Sequence, residues 1–277
     1  MMSVNDISMN QLEVIAAKIR REVVRMSHDS RTPHLGSSLS VVDILTAVYW
    51  TCLSIDPLNP DAEERDKFIL SKGHAVSALY VTLAFRGFFP EETLRTFSEN
   101  GTILGEHPLA GRVPGLEAAT GSLGHGLSMG AGIALADKIL NRSSKTIVVM
   151  SDGECNEGSV WEAAMFAPAH ELENLMVIID YNKWQATGRS NEVMSLDPLP
   201  EKWSAFGWTV REIDGHDMSA LAMNLSSFPD GSGKPLAIIA HTVKGKGISF
   251  MEDDNNWHYR IPSDEEAEEA FKELALN

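Results

Sequence analysis

Asp152 and Asn182 have the residue types and spacing to do chemistry in this 277-residue chain. The run KTIVVMSDGECNEGSVWEAAMFAPAHELENLMVIIDYNKWQATG reads as strand, glycine turn, helix, strand and loop. Asp152 follows the first strand and Asn182 the second. A right-handed βαβ crossover brings the carboxyl ends of both strands to one edge of the sheet. If the strands are neighbours, about 5 Å apart, the two side chains face one crevice, and open α/β sheets bind ligands there. Asp152 offers an anionic oxygen and Asn182 a neutral one, and the backbone carbonyl of Trp184 can add a third. This set suits a hard cation such as Mg²⁺, which takes only one or two carboxylates and draws its remaining oxygens from phosphates and water. Ca²⁺ or Mn²⁺ could substitute. A diphosphate therefore fits beside the metal. Gly153 allows close backbone approach, and the next helix offers free N–H groups to an anion. A lone Asp-Gly is more often an ordinary turn; the two strand ends make it a site.

Nine histidines are the second feature. Imidazoles move protons near neutral pH and stabilise anionic oxygens. His34 lies in Pro33-His34-Leu35-Gly36-Ser37, His74 in Leu70-Ser71-Lys72-Gly73-His74-Ala75, His107 in Glu106-His107-Pro108, and His258 follows a Gly-Lys-Gly-Ile stretch. Gly121-Ser122-Leu123-Gly124-His125-Gly126 and Asp214-Gly215-His216-Asp217 are two further distinctive runs. Together these motifs resemble the transketolase family. The Asp152 segment resembles the thiamine-diphosphate motif, which opens Gly-Asp-Gly and closes in Asn. Ser151 stands in place of the first Gly, and Tyr181 where the family often has Asp or Asn; neither change removes a metal ligand.

The resemblance implies a thiamine-diphosphate enzyme that transfers a two-carbon ketol group from a ketose to an aldose. It places Asp152, Asn182 and the Trp184 carbonyl on the metal. It places His74, Gly121, Ser122, Leu123, Gly153, Glu154, Asn182 and His258 on the cofactor. It turns His34, His107 and His258 toward the substrate sugar or sugar phosphate, and Glu157 is read either as a subunit-interface glutamate or as a first-turn glutamate favoured by the helix dipole. His125 and His216 are read as either structural or functional, whereas His28, His170, His241 and Cys155 read as structural or surface residues. After His258 many transketolases have Gly, but Tyr259-Arg260 follows here.

The elements that must position these residues alternate. Helices are expected at about 8–28, 40–53, 76–87, 122–140, 158–170, 218–228 and 264–276. Near-continuous apolar strands are expected at 146–150, 175–179, 208–213 and 236–242. This pattern predicts an α/β fold: a parallel sheet with helices on both faces, forming one thiamine-diphosphate-binding domain over 1–277.

A net charge of −16 argues against a nucleic-acid backbone as partner. No apolar run is long enough to predict a membrane span. Two cysteines are too few for a disulfide framework, which predicts a cytoplasmic setting. The resemblance stops soon after His258, where transketolases continue with a second domain carrying the glutamate that protonates the aminopyrimidine. The expectation is therefore the N-terminal subunit of a split transketolase, with two copies of this chain and two of a C-terminal, pyrimidine-binding partner. The alternatives are a subunit of a sister enzyme (deoxyxylulose-phosphate synthase or a 2-oxo-acid dehydrogenase component) or a non-catalytic assembly subunit.

Overall fold

The computed structural model describes residues 7–275; positions 1–6 and 276–277, which the expected domain range and the last helix include, lie outside them. Five strands form one sheet: β1 (Lys67–Leu70), β2 (Thr146–Ser151), β3 (Leu175–Tyr181), β4 (Thr209–Asp214) and β5 (Leu236–His241). Their order is β1-β2-β3-β5-β4, and every pairing is parallel. The central strands are buried on both faces, which is why they read as unbroken Val/Ile runs rather than as alternation. Edge strand β4 is only partly buried and carries Arg211 and Glu212, charges that discourage pairing with another chain.

Alternate residues of the strands feed two cores. Ile147, Val149, Met176, Ile178 and Ile238 pack with α1 (Met9–Ser30), α3 (Val42–Ala47), α4 (Val76–Phe85) and α9 (Met218–Ser226). The C-terminal helix α10 (Asp264–Glu273) adds Ala270 to that core. On the other face Val148, Met150, Val177 and Ile179 meet α5 (Gly126–Ile139), α6 (Gly158–Ala169) and α8 (Leu199–Ala205). The expected parallel sheet covered on both faces is therefore the observed architecture.

Helix α1 starts where Ser8 and Gln11 form a capping box. Its buried stripe of Leu12, Ala16, Ile19, Val23 and Met26 follows the helical period. Arg20 on this helix donates to Asp43 with both terminal nitrogens (3.0 and 2.6 Å), and His216 Nδ1 lies 2.7 Å from the same carboxylate. The Val243 N–H donates to His216 Nε2 at 2.8 Å, so the ring proton sits on Nδ1. His216 is thus a structural link between elements.

Several boundaries differ from expectation. The helix expected at 40–53 is three pieces: α2 (Leu35–Ser40), α3, and a π-helical turn Val48–Cys52. The chain is buried from Leu35 through Tyr49, so no amphipathic period could mark the breaks. Ser40 ends α2 by turning its hydroxyl to the Ser37 carbonyl and to Asp180, competing with the helix. The helix expected at 122–140 starts at Gly126, because Gly124 at φ +85° is left-handed, and residues 121–125 stay open as a loop. The four-residue β1, the short α7 (Ser190–Val193) and α8 were not anticipated, being too short to show a period.

Candidate active site

In the β2–β3 pair Ser151 lies opposite Asp180, so Asp152 and Asn182 both emerge just beyond neighbouring strand ends. Both are buried. Asp152 Oδ2 accepts from Ser190 Oγ at 2.7 Å, whereas Oδ1 is buried without a hydrogen-bond partner among the described residues. Burial pushes the Asp152 carboxyl up to about 6, and the charge of Asp180 adds to the shift. An orphaned anionic oxygen of this kind is costly unless a cation meets it. Asn182 Oδ1 accepts from the Trp184 N–H at 3.1 Å, which folds the loop so that Trp184 follows closely behind the strand end. Among the described residues no three His, Cys, Asp or Glu side chains are placed to hold a metal by themselves. A single carboxylate with neutral oxygens fits Mg²⁺ when phosphate oxygens and water complete its shell.

Backbone close to the crevice leaves no room for side chains. A Cβ on Gly73 would lie 2.7 Å from the Thr120 carbonyl carbon, and one on Gly153 would lie 2.9 Å from Gln185 Cγ. Gly121, at φ +141°, would put a Cβ 2.6 Å from the His107 ring. The loop it opens is braced from behind by Glu154. That carboxylate is fully buried and accepts from Ser71 Oγ, from the Gly124 N–H at 2.8 Å and from the Ser151 N–H at 3.3 Å. Burial raises its affinity for a proton. The structure therefore corrects the expectation for Glu154: its carboxylate is spent on protein partners, so it shapes the cradle without lining it. Ser122 is exposed and Leu123 partly so, leaving that stretch of backbone accessible.

The four motif histidines converge. Ring centroids are 5.1 Å apart for His34 and His258, 5.4 Å for His34 and His74, 5.6 Å for His74 and His258, and 6.4 Å for His34 and His107. Residue 34 is left-handed at φ 72°, and its N–H donates to the His258 carbonyl at 3.0 Å, tying together segments more than two hundred positions apart. Burial, joined by the Lys244 charge, lowers His258 to about 3. Burial also lowers His74 well below the usual histidine value, with Lys72 adding to it, and lowers His34, with His107 adding to it. His34, His74 and His258 are therefore neutral at physiological pH. His28, His170, His241 and His125 lie apart: His28 bridges Asp29 and Asp264, His170 stacks on Phe166, His241 meets Glu212, and His125 is exposed. Cys155 is buried, and burial raises its thiol well above the ordinary value, so it is no nucleophile.

This neutrality has a consequence for stability. Below about pH 6.5 an unfolded histidine takes up a proton that native His258 refuses until about pH 3. The unfolded state then binds more protons, and native stability falls as the pH drops through that window. The difference in melting temperature between His258→Gln and the native protein is expected to move in the variant's favour from pH 7 to pH 5. A difference independent of pH would show that His258 titrates normally.

Two buried lysines escaped the sequence reading. Lys72 donates to Asp180 at 2.5 Å and to the Ser37 carbonyl at 3.0 Å, while Asp180 also accepts from Ser40 Oγ at 2.7 Å and from Thr242. Burial alone would raise the Asp180 carboxyl, but Lys72 holds it below the ordinary range. Lys244 donates to Asn255 Oδ1 at 2.6 Å and stands 3.2 Å from His258 Nδ1; burial, with Lys72 adding to it, lowers it to about 8. The available signal was a charged residue inside an otherwise apolar strand, as in Ile178-Ile179-Asp180.

Comparison with known proteins agrees with this geometry. Residues 12–277 match the family described as transketolase, thiamine diphosphate binding domain. One of the named subunits of the apulose-4-phosphate transketolase of Phocaeicola vulgatus is 43% identical over 264 residues, covering 95% of this chain and 94% of that protein. A 6-deoxy-6-sulfo-D-fructose transketolase subunit of a Clostridium species is 44% identical over 219 residues, covering 79% of this chain and 80% of its own. Among solved structures, transketolase from Pichia stipitis in complex with sedoheptulose 7-phosphate superposes with a TM-score of 0.91 at 27% identity, covering 98% of this chain and 41% of that one. The chain thus spans about two fifths of the solved transketolases it matches.

Proposed function

The chain belongs to the transketolase family, as its thiamine diphosphate binding domain, and from that premise we propose that it is the diphosphate-side subunit of a two-chain transketolase moving a two-carbon ketol group from a ketose to an aldose. The single observation that carries the reading is the Asp152 oxygen left without a hydrogen-bond partner among the described residues, buried at the sheet edge that also carries Asn182. Two relatives matched over nearly their whole length are named as one subunit of an apulose-4-phosphate transketolase, which supports a partner chain.

Asp152, Asn182 and the Trp184 carbonyl would hold Mg²⁺, and the backbone at Gly153 together with His74 and His258 would hold the diphosphate. The backbone of Gly121, Ser122 and Leu123 would hold the aminopyrimidine ring. When bound, thiamine diphosphate supplies the carbanion stabilisation that amino-acid side chains lack. His34, His107 and His258 then face the sugar. Neutral imidazoles can accept a proton from a sugar hydroxyl and return it to a developing alkoxide, and their N–H groups favour charge forming on that oxygen. The Lys72–Asp180 pair fixes the floor beneath them, since a fully buried and fully bonded ion pair resists rearrangement once formed. Glu157 is exposed at the start of α6, which is compatible with a contact to a partner. The two buried free cysteines fit a reducing compartment such as the cytoplasm, and no described helix is long and apolar enough to cross a membrane.

The test is ketol transfer from a ketose phosphate to an aldose by the chain mixed with its partner subunit, with Mg²⁺ and thiamine diphosphate. Absence of transfer with every natural ketose phosphate tried would remove the reading.

The rim of the site offers a narrower prediction. Tyr259 is 64% exposed and stands edge-on to His258 with centroids 4.7 Å apart. Arg260 is turned away, paired with Glu266 at 2.5 Å and stacked over Trp257 at 4.4 Å. Of the pair, only Tyr259 is free to narrow the entrance. Tyr259→Gly is expected to change the ratio of kcat/KM between short and long donor sugars. An unaltered ratio would assign Tyr259 to solvent or to the partner.

A further inference from the structure

The loop after Asn182 is fastened to the segment that bears His258. Trp184 Nε1 donates to Asp253 Oδ1 at 2.8 Å. Arg189 grips the same carboxylate with both terminal nitrogens, each at 2.6 Å, and lays its guanidinium 3.8 Å from the centroid of the Trp184 ring. One carboxylate therefore clamps both ends of the 184–189 loop. Two residues further on, Asn255 Nδ2 donates to the Ala186 carbonyl at 3.1 Å, and its Oδ1 accepts from Lys244. Lys244 in turn stands beside His258, and its carbonyl accepts from the Asp253 N–H at 2.8 Å. Contacts run without a gap from Trp184 through Asp253, Asn255 and Lys244 to the His258 ring. The pair lies at the surface, and its bidentate Arg–carboxylate geometry fixes orientation as well as distance.

We propose that Asp253 is a positioning residue that couples occupation of the metal and diphosphate site at the 182–189 loop to the placement of His258 over the substrate. The inference rests on the function proposed above, because it takes the Trp184 carbonyl as a metal ligand. Ordering that loop orders the Trp184 ring and Arg189, these hold Asp253, and the 253–258 segment settles with them. Binding of cofactor and readiness for the sugar become one event. Outer partners that orient a metal-ligating group typically change metal affinity about tenfold or more when removed.

The test is hydrogen exchange on the chain assembled with its partner subunit, with and without Mg²⁺ and thiamine diphosphate. Asp253→Asn suits it because asparagine tolerates the left-handed φ of 59° as well as aspartate does, while losing the charge that pairs with Arg189. Trp184→Phe is the second variant, removing the indole donor while leaving a smaller aromatic ring under Arg189. In the native protein the cofactor is expected to slow exchange in both 182–189 and 253–258. In both variants protection at 182–189 should persist at saturating cofactor while that at 253–258 is lost, with donor KM raised and apparent cofactor affinity lowered about tenfold. Protection at 253–258 unchanged in the variants would overturn the coupling and leave the proposed function standing. No protection at 182–189 in the native protein would overturn both.

Discussion

Asp152→Asn is expected to abolish Mg²⁺-dependent binding of thiamine diphosphate and, in the metal-free protein, to raise stability. The two effects have one cause. Asp152 keeps an anionic oxygen buried without a partner among the described residues, and its carboxyl is pushed from 3.8 up to about 6. That shift corresponds to a cost on the order of 3 kcal/mol at neutral pH. Because the folded value is the higher one, the cost is present above pH 6, shrinks as the pH falls below it, and is gone below the unfolded value. Asparagine keeps an acceptor for Ser190 and removes the charge. The metal-free variant should therefore melt several degrees higher at pH 7 and show little advantage at pH 4, while calorimetry should show cofactor affinity reduced more than about a hundredfold. Tight, Mg²⁺-dependent binding by the variant would remove Asp152 from the metal site. Loss of binding with no gain in stability would show that the empty carboxylate is not strained.

Purified alone, the chain is expected to give no ketol transfer, and an equimolar partner subunit is expected to restore it. In the solved transketolases this region is about two fifths of the chain, and relatives of the same length are named as one subunit. The surface also argues for a cover. Met165 and Phe166 on α6, Ile139 and Leu140 at the end of α5, and Val193 and Met194 beyond the 184–189 loop are exposed large apolar side chains. Water-facing apolar groups mark an interaction surface where they adjoin one another, and α5 packs against α6. A two-fold assembly with two copies of each chain is the common solution. The measurement is turnover and light-scattering mass across a titration of partner into chain. Full turnover by the single chain, with contaminating transketolase excluded, would refute the dependence.

Local sequence was enough to recover the βαβ unit around Asp152 and Asn182. Unbroken runs such as Thr146–Ser151 and Leu175–Tyr181 can satisfy their backbone only as central parallel strands, and strand ends are where such sheets expose chemistry. The boundaries that failed had equally local reasons. From Leu35 to Tyr49 everything is buried, so the sequence has no polar face to show where one helix stops and the next begins. Before Gly126 it is the positive φ of Gly124, invisible in a residue name, that keeps the loop out of the helix. Glu154 was placed at the cofactor by its neighbours in the chain, yet three donors from separate segments draw its carboxylate inward.

The sequence by itself determined the sheet edge that carries Asp152 and Asn182 and the roster of four motif histidines, because both follow from residue type and from strand ends a short helix apart. What only the tertiary structure decided is how those histidines stand together and what charges lie beneath them. His34, His74, His107 and His258 come from segments with no local relation, and nothing short of the packed fold brings their rings to within 6.4 Å of His34. Lys72 and Asp180 look in the sequence like surface charges that strayed into apolar runs. Burial makes them obligatory partners, since an unpaired charge inside the fold is costly.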